Sequence, residues 1–299
     1  MSAPQRLALL AAVLFGLAHT LSRFGLRHVS PRVGASISVP STALMFWLAA
    51  PLLLTINGLT WPAIALFALI GLFFPAAVTI LNFESTRLMG PTISSSISAT
   101  SAAFALLTAL LFLDERLTWL IAAGTATIVA GVALLSWDRR DSVRQWASWM
   151  LLIPLAAAAI RGNAQTLTKY ALTIWSNPFA ASLVAYTAST VVVTIASRLQ
   201  ASGSKAGLST APTLQSAFSS RRRAFPWFAA VGFCNGTGLY LTYIALQTGK
   251  VSVVAPIVAI SPLFTLLANK LLLDDERIDG PVIAGVMITV LGAIMILTH

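Results

Sequence analysis

The residues most able to do chemistry are polar side chains set at helical spacing inside otherwise apolar stretches. Arg161, Gln165 and Lys169 stand at i, i+4 and i+8, which places them on one face of a helix over about 12 Å. His19 and Arg23 form a second such stripe below Phe15. Arginine offers a planar fork of donors suited to a carboxylate or phosphate. His19 is either an interhelical hydrogen bonder or a proton-coupling group, since imidazole titrates near neutral pH. Glu84 follows Asn82 and precedes Arg87. Glu84 and Arg87, at i and i+3, either neutralise each other or leave Glu84 as an acidic coupling residue or a partner for Arg161. Asn163, Asn235, Tyr240 and Tyr243 complete the candidate solute-binding set, with Asn235 supplying both donor and acceptor.

These side chains are costly where they stand. Hydrophobic residues make up 57% of the 299-residue chain and charged residues 9%, with a mean hydropathy of +0.85. A soluble domain carries about 25% charged residues, so the composition belongs to a chain whose solvent is lipid. Apolar runs fall near 7–26, 34–55, 62–86, 91–113, 117–136, 149–172, 179–198, 225–246, 251–273 and 279–298. Each approaches the roughly 20 residues that a spanning helix needs. None alternates polar and apolar as a barrel strand would. Arg161 then lies near the middle of the sixth run, where an arginine costs about 2.5–3.5 kcal/mol on insertion scales and must face protein or a wet cavity.

The runs repeat. Residues 16–26 match 162–172 at an offset of 146, pairing Phe15 with Arg161, His19 with Gln165 and Arg23 with Lys169. Asp114-Glu115-Arg116 recurs as Asp275-Glu276-Arg277, Gly124 as Gly285 and Gly131 as Gly292, at an offset of 161. The extra residues enter through 199–224, a segment rich in Ser, Arg and Lys that reads as a loop. The expected fold is an all-α membrane protein of ten transmembrane helices in two repeats, 1–140 and 145–299. Five is odd, so the second repeat enters the membrane inverted. Inverted repeats place a solute site near the midplane between them. Gly124/Gly131, Gly285/Gly292 and the stripe Ser94, Ser98, Ser101 and Ala105 read as close-packing surfaces. Pro75, Pro256 and Pro262 read as helix kinks.

Asp114-Glu115-Arg116-Leu117-Thr118 with Gly124 and Gly131-Val132, repeated more weakly as Asp275-Glu276-Arg277-Ile278 with Gly285 and Gly292, resembles the ten-helix EamA-type branch of the drug/metabolite transporter superfamily over nearly the whole chain. The resemblance implies a non-enzymatic carrier of a small polar metabolite, an amino acid or organic anion, multi-pass in a bacterial inner membrane. The alternatives are a lipid-head-group flippase and a membrane-embedded enzyme. His19 stands where the small four-helix relatives carry a glutamate, so their proton chemistry does not transfer. The lone Cys234 and the lack of a Cys/His cluster argue against a metal site. No cofactor motif or phosphate-binding loop is present. The net charge of +10 resides in short loops, as membrane topology requires, and calls for no nucleic acid. The first run is too long for a cleaved signal. The expected partners are the lipid bilayer and a small-molecule substrate, with the protein a monomer or weak homodimer. The positive-inside rule puts both termini outside the cytoplasm, whereas the resemblance implies cytoplasmic termini.

Overall fold

The computed structural model describes residues 1–56, 60–113, 115, 118–137, 148–203, 214–273 and 280–298. Its helices are α1 (Ala3–Leu26), α2 (Pro31–Leu53), α3 (Trp61–Phe73), α4 (Ala76–Met89), α5 (Pro91–Ser98), α6 (Ser101–Phe112), α7 (Trp119–Trp137), α8 (Leu152–Ile174), α9 (Pro178–Gly203), α10 (Leu214–Thr248), α11 (Val251–Val258), α12 (Ser261–Leu273) and α13 (Gly280–Leu297). No strand occurs among the described residues. Seven of the spans are long and apolar enough to cross a bilayer by composition alone, and two further apolar helices, Trp119–Leu134 and Ala284–Ile296, are shorter. The tenth crossing is α8, whose hydropathy is lowered by Arg161 and Lys169. The fold is therefore a ten-span, all-helical membrane bundle.

Three of the ten runs are broken. α3 gives way to α4 at Phe74-Pro75, α5 to α6 at Ala99-Thr100, and α11 to α12 at Ala259-Ile260. The last two breaks fall at matching places in the two repeats, because Ser101 and Phe104 correspond to Ser261 and Phe264. The segment 199–224, read as a loop, is largely helical at its ends: α9 continues to Gly203 and α10 begins at Leu214. Gln, Ala and Arg have helix propensities at or near that of Leu, so a polar segment can remain helical. A polar composition therefore did not mark the helix boundary.

The two repeats are related by an internal two-fold axis. α1 lies along α10 and α12, and its repeat partner α8 lies along α4 and α6. A Cβ placed on Gly16 would sit 2.6 Å from Phe264 Cβ and 2.8 Å from Ser261 O. One on Gly162 would sit 2.7 Å from Phe104 Cβ and 2.5 Å from Ser101 O. Repeat-related glycines thus face repeat-related backbones. α7 and α13 pack reciprocally: Gly124 meets Gly292 O, and Gly131 meets Gly285 O, the self-complementary pattern that a two-fold generates. Hydrogen bonds follow the same operator. Thr42 Oγ1 donates to Gly232 O at 2.8 Å, and Ser189 Oγ donates to Gly71 O. Ser189 also accepts from Ala76 N–H at 3.2 Å, so one hydroxyl spans the α3–α4 break. The second repeat has no counterpart of that break, since α10 runs unbroken past Gly236 where the first repeat carries Pro75.

Candidate functional site

The axis runs through a polar chamber. Its lining includes Phe15, Ala18 and His19 of α1, Phe74 and Pro75 at the break, Val78, Thr79 and Asn82 of α4, Arg161 of α8, Tyr186 of α9, and Asn235 and Leu239 of α10. Three repeat-related pairs contribute both members: Phe15 with Arg161, Phe74 with Asn235, and Val78 with Leu239. The cavity, open in part to the outside, is about 30 Å³, enough for a water or two and too small for an organic metabolite without repacking. The α3–α4 break at Phe74-Pro75 lines this cavity, the setting in which irregular backbone is tolerated at membrane depth.

Arg161 is 8% exposed. Its guanidinium lies over the Phe15 ring at 5.3 Å, and among the described residues no carboxylate comes within ion-pair range of it. The aromatic face supplies about 0.5–2 kcal/mol of cation–π attraction, well short of neutralising a buried cation. His19, 7% exposed, lines the same chamber. Asn82, also in the lining, accepts from Ser98 Oγ at 3.2 Å through its Oδ1. The guanidinium of Arg161 offers donors only, whereas His19, Thr79, Tyr186 and Asn235 can each accept as well as donate.

The other candidates lie elsewhere. Glu84 is ion-paired with Arg87 in the half-exposed last turns of α4 and does not line the chamber. Gln165 is 3% exposed with Oε1 unpartnered, and Asn163 is half-buried outside the lining. Tyr240 sits in an aromatic cluster with Phe46 and Phe179, at ring separations of 6.2 and 5.8 Å. Tyr243 is 1% exposed; its hydroxyl approaches that of Thr168 without the geometry of a formed hydrogen bond. Each such unmet buried group costs about 1–3 kcal/mol. Lys169, the last member of the Arg161 stripe, donates to Leu246 O at 2.7 Å and Gly249 O at 3.0 Å, capping α10. Thr79 and Tyr186 were missed as lining residues; a lone tyrosine within the apolar run 179–198 was the available signal. Of the paired Asp-Glu-Arg motifs, residues 114, 116, 117 and 275–278 lie outside the described residues. Glu115 is described, and its carboxylate accepts from Val251 N–H at 2.8 Å and Ser252 N–H at 2.9 Å, capping α11. Cys234 is a buried free thiol, and no group of potential metal ligands occurs among the described residues.

Fold and site together define a membrane protein of two inverted repeats enclosing a cationic chamber. The sequence profile of the EamA-like transporter family matches residues 5–137 and again 147–298, so the chain belongs to the EamA-like transporter family, a family of drug/metabolite-type membrane transporters. A solved crystal structure covers 98% of this chain and 95% of its own with a TM-score of 0.73 at 15% identity, which supports the fold alone. Comparison with curated protein sequences finds no match.

Proposed function

We propose that this chain is a secondary transporter, an exporter or exchanger, that moves a small polar organic metabolite bearing an anionic group by alternating access. Amino acids and organic anions are the solute classes in view. The observation that carries the reading is Arg161: buried on the axis, stacked on Phe15 and without a carboxylate partner among the described residues. Retaining a midplane cation is costly unless a guest of opposite charge visits it. His19, beside it in the chamber, is the coupling group in this reading, and Glu84 is occupied by Arg87. The absence of a phosphate-binding loop in the sequence leaves ion or solute gradients as the energy source. One chain holds both repeats and the axis between them, so a monomer suffices as the working unit. The membrane is assigned as a bacterial inner membrane, with the end bearing Arg23, Arg27 and Arg32 toward the cytoplasm by the positive-inside rule.

The test is a thermal-shift screen of the purified protein against amino acids, organic acids and amines, followed by flux in proteoliposomes. Anionic members are expected to stabilise the protein, and amines are not. Stabilisation by amines alone, or anion flux untouched by loss of Arg161, refutes the reading.

A further inference from the structure

From the two-fold axis the chamber extends to one side only, and the internal repeat specifies what the other side must be. Away from the axis, His19, Thr79 and Asn82 line the cavity. Their repeat counterparts are Gln165, Tyr240 and Tyr243, none of which reaches the cavity. Those positions are packed shut, yet they are not apolar. Gln165 Oε1, Tyr243 Oη and Thr168 Oγ1, the last corresponding to Ser22, are buried without hydrogen-bond partners. Other unpartnered hydroxyls are scattered over Thr60, α4 (Ser85, Thr86), α5 (Ser94, Ser96) and α11 (Ser252); these three instead continue from Arg161 along the contact of α8 with α10. Polar groups held shut without partners suit a surface that is wetted in another conformation.

The far end of this closed side is latched. Lys169 Nζ holds the last carbonyls of α10, and the Glu115 carboxylate holds the first amides of α11. The two side chains thereby tie the α10–α11 turn to α8 and to the segment after α6. The charges of Glu115 and Lys169 also act on each other.

We propose that Gln165, Thr168 and Tyr243 line a second half-passage, shut in this structure, which opens from Arg161 toward the α10–α11 turn when the Glu115–Lys169 latch releases and the His19–Asn82 side closes. The proposal rests on the alternating-access reading and names the route that reading requires. Opening exchanges three unmet polar atoms for hydrated ones, and the axis makes the second conformation the approximate image of the first with repeats exchanged.

Single cysteines introduced in a Cys234→Ser background test it, using a membrane-impermeant maleimide on vesicles of known orientation. Thr79→Cys is expected to label from the end bearing Arg23. Thr168→Cys is expected to label from the opposite face, at roughly 0.1–10% of the rate of a free thiol, the usual population of a minor conformer. Adding Glu115→Gln is expected to raise Thr168→Cys labelling by roughly tenfold, the factor for one lost charge-assisted hydrogen bond, and to slow Thr79→Cys. Gln165→Cys serves as the second reporter if Thr168→Cys fails to fold, as judged by size exclusion. Labelling of both positions from one face, or none at Thr168 and Gln165 in the Glu115→Gln background, overturns the route. If anion stabilisation still depends on Arg161 in that case, the transport reading stands without it. Labelling from opposite faces with no anion dependence on Arg161 would leave the route and remove the solute assignment.

Discussion

Replacing Arg161 with methionine, which keeps an unbranched stem and removes the charge, should separate binding from stability. In the unliganded protein the change forfeits the stacking on Phe15 at 5.3 Å, worth about 0.5–2 kcal/mol. It also relieves a buried cation with no carboxylate partner among the described residues, whose presence at depth costs about 2.5–3.5 kcal/mol. The balance is a gain of about 0.5–3 kcal/mol, so the Tm should rise by at least roughly 1 °C and not fall. An anion bound by a guanidinium fork makes two charge-assisted hydrogen bonds at about 1.5–3 kcal/mol each. Losing both removes at least about 3 kcal/mol, so affinity should fall by roughly 100-fold or more. Thermal unfolding in detergent with and without a stabilising anion measures both quantities on one sample. A Tm lowered by more than about 5 °C with anion affinity intact would make Arg161 a structural residue and refute the reasoning.

Three further outcomes follow from packing and hydrogen bonding. Gly162→Ala and Gly16→Ala should destabilise by similar amounts, about 1–3 kcal/mol each, because each Cβ meets an equivalent backbone; unfolding temperatures at wild-type level would refute the close approach. Ser189→Ala should cost about 1–3 kcal/mol, since it leaves Ala76 N–H unpaired at the helix break. Thr42→Val should cost less, because α10 is continuous at the matching place; equal losses in a thermal melt would contradict the bridging role. Glu84→Gln should leave anion affinity within about twofold of wild type, as half-exposed ion pairs contribute about 0–1 kcal/mol. Abolished proton-dependent flux in that variant would return Glu84 to the coupling mechanism.

Hydropathy, an odd number of runs per repeat and two conserved offsets made the ten spans and their duplication readable without coordinates. Those signals depend on solvent and period, which composition expresses directly. Arg161 and His19 were readable as chamber residues for the same reason, because polar atoms in lipid need a purpose. What stayed hidden was which side of the axis is open. His19 and Gln165 occupy equivalent positions, and only packing decides that one lines a cavity while the other is enclosed. The helix interruptions were half-legible: Pro75 marks the α3–α4 break, whereas the interruptions at Ala99 and Ala259 carry no proline at the break itself. Glu115 was legible as part of a repeated motif but not as a helix cap, since that role depends on the start of α11 lying beside it although 136 residues away in sequence.

The Phe15–Arg161 stack bears on why two copies are joined in one polypeptide. In a homodimer of identical five-span units, a position at the dyad would present the same side chain twice. Two guanidiniums there would repel, and two phenyl rings would offer no charge. Covalent linkage lets each copy vary independently, so a single cation can occupy the centre with an aromatic ring opposite it. A protein split between residues 137 and 148 and reassembled from its unlike fragments retains this heterogeneity, whereas two copies of either fragment alone lose it.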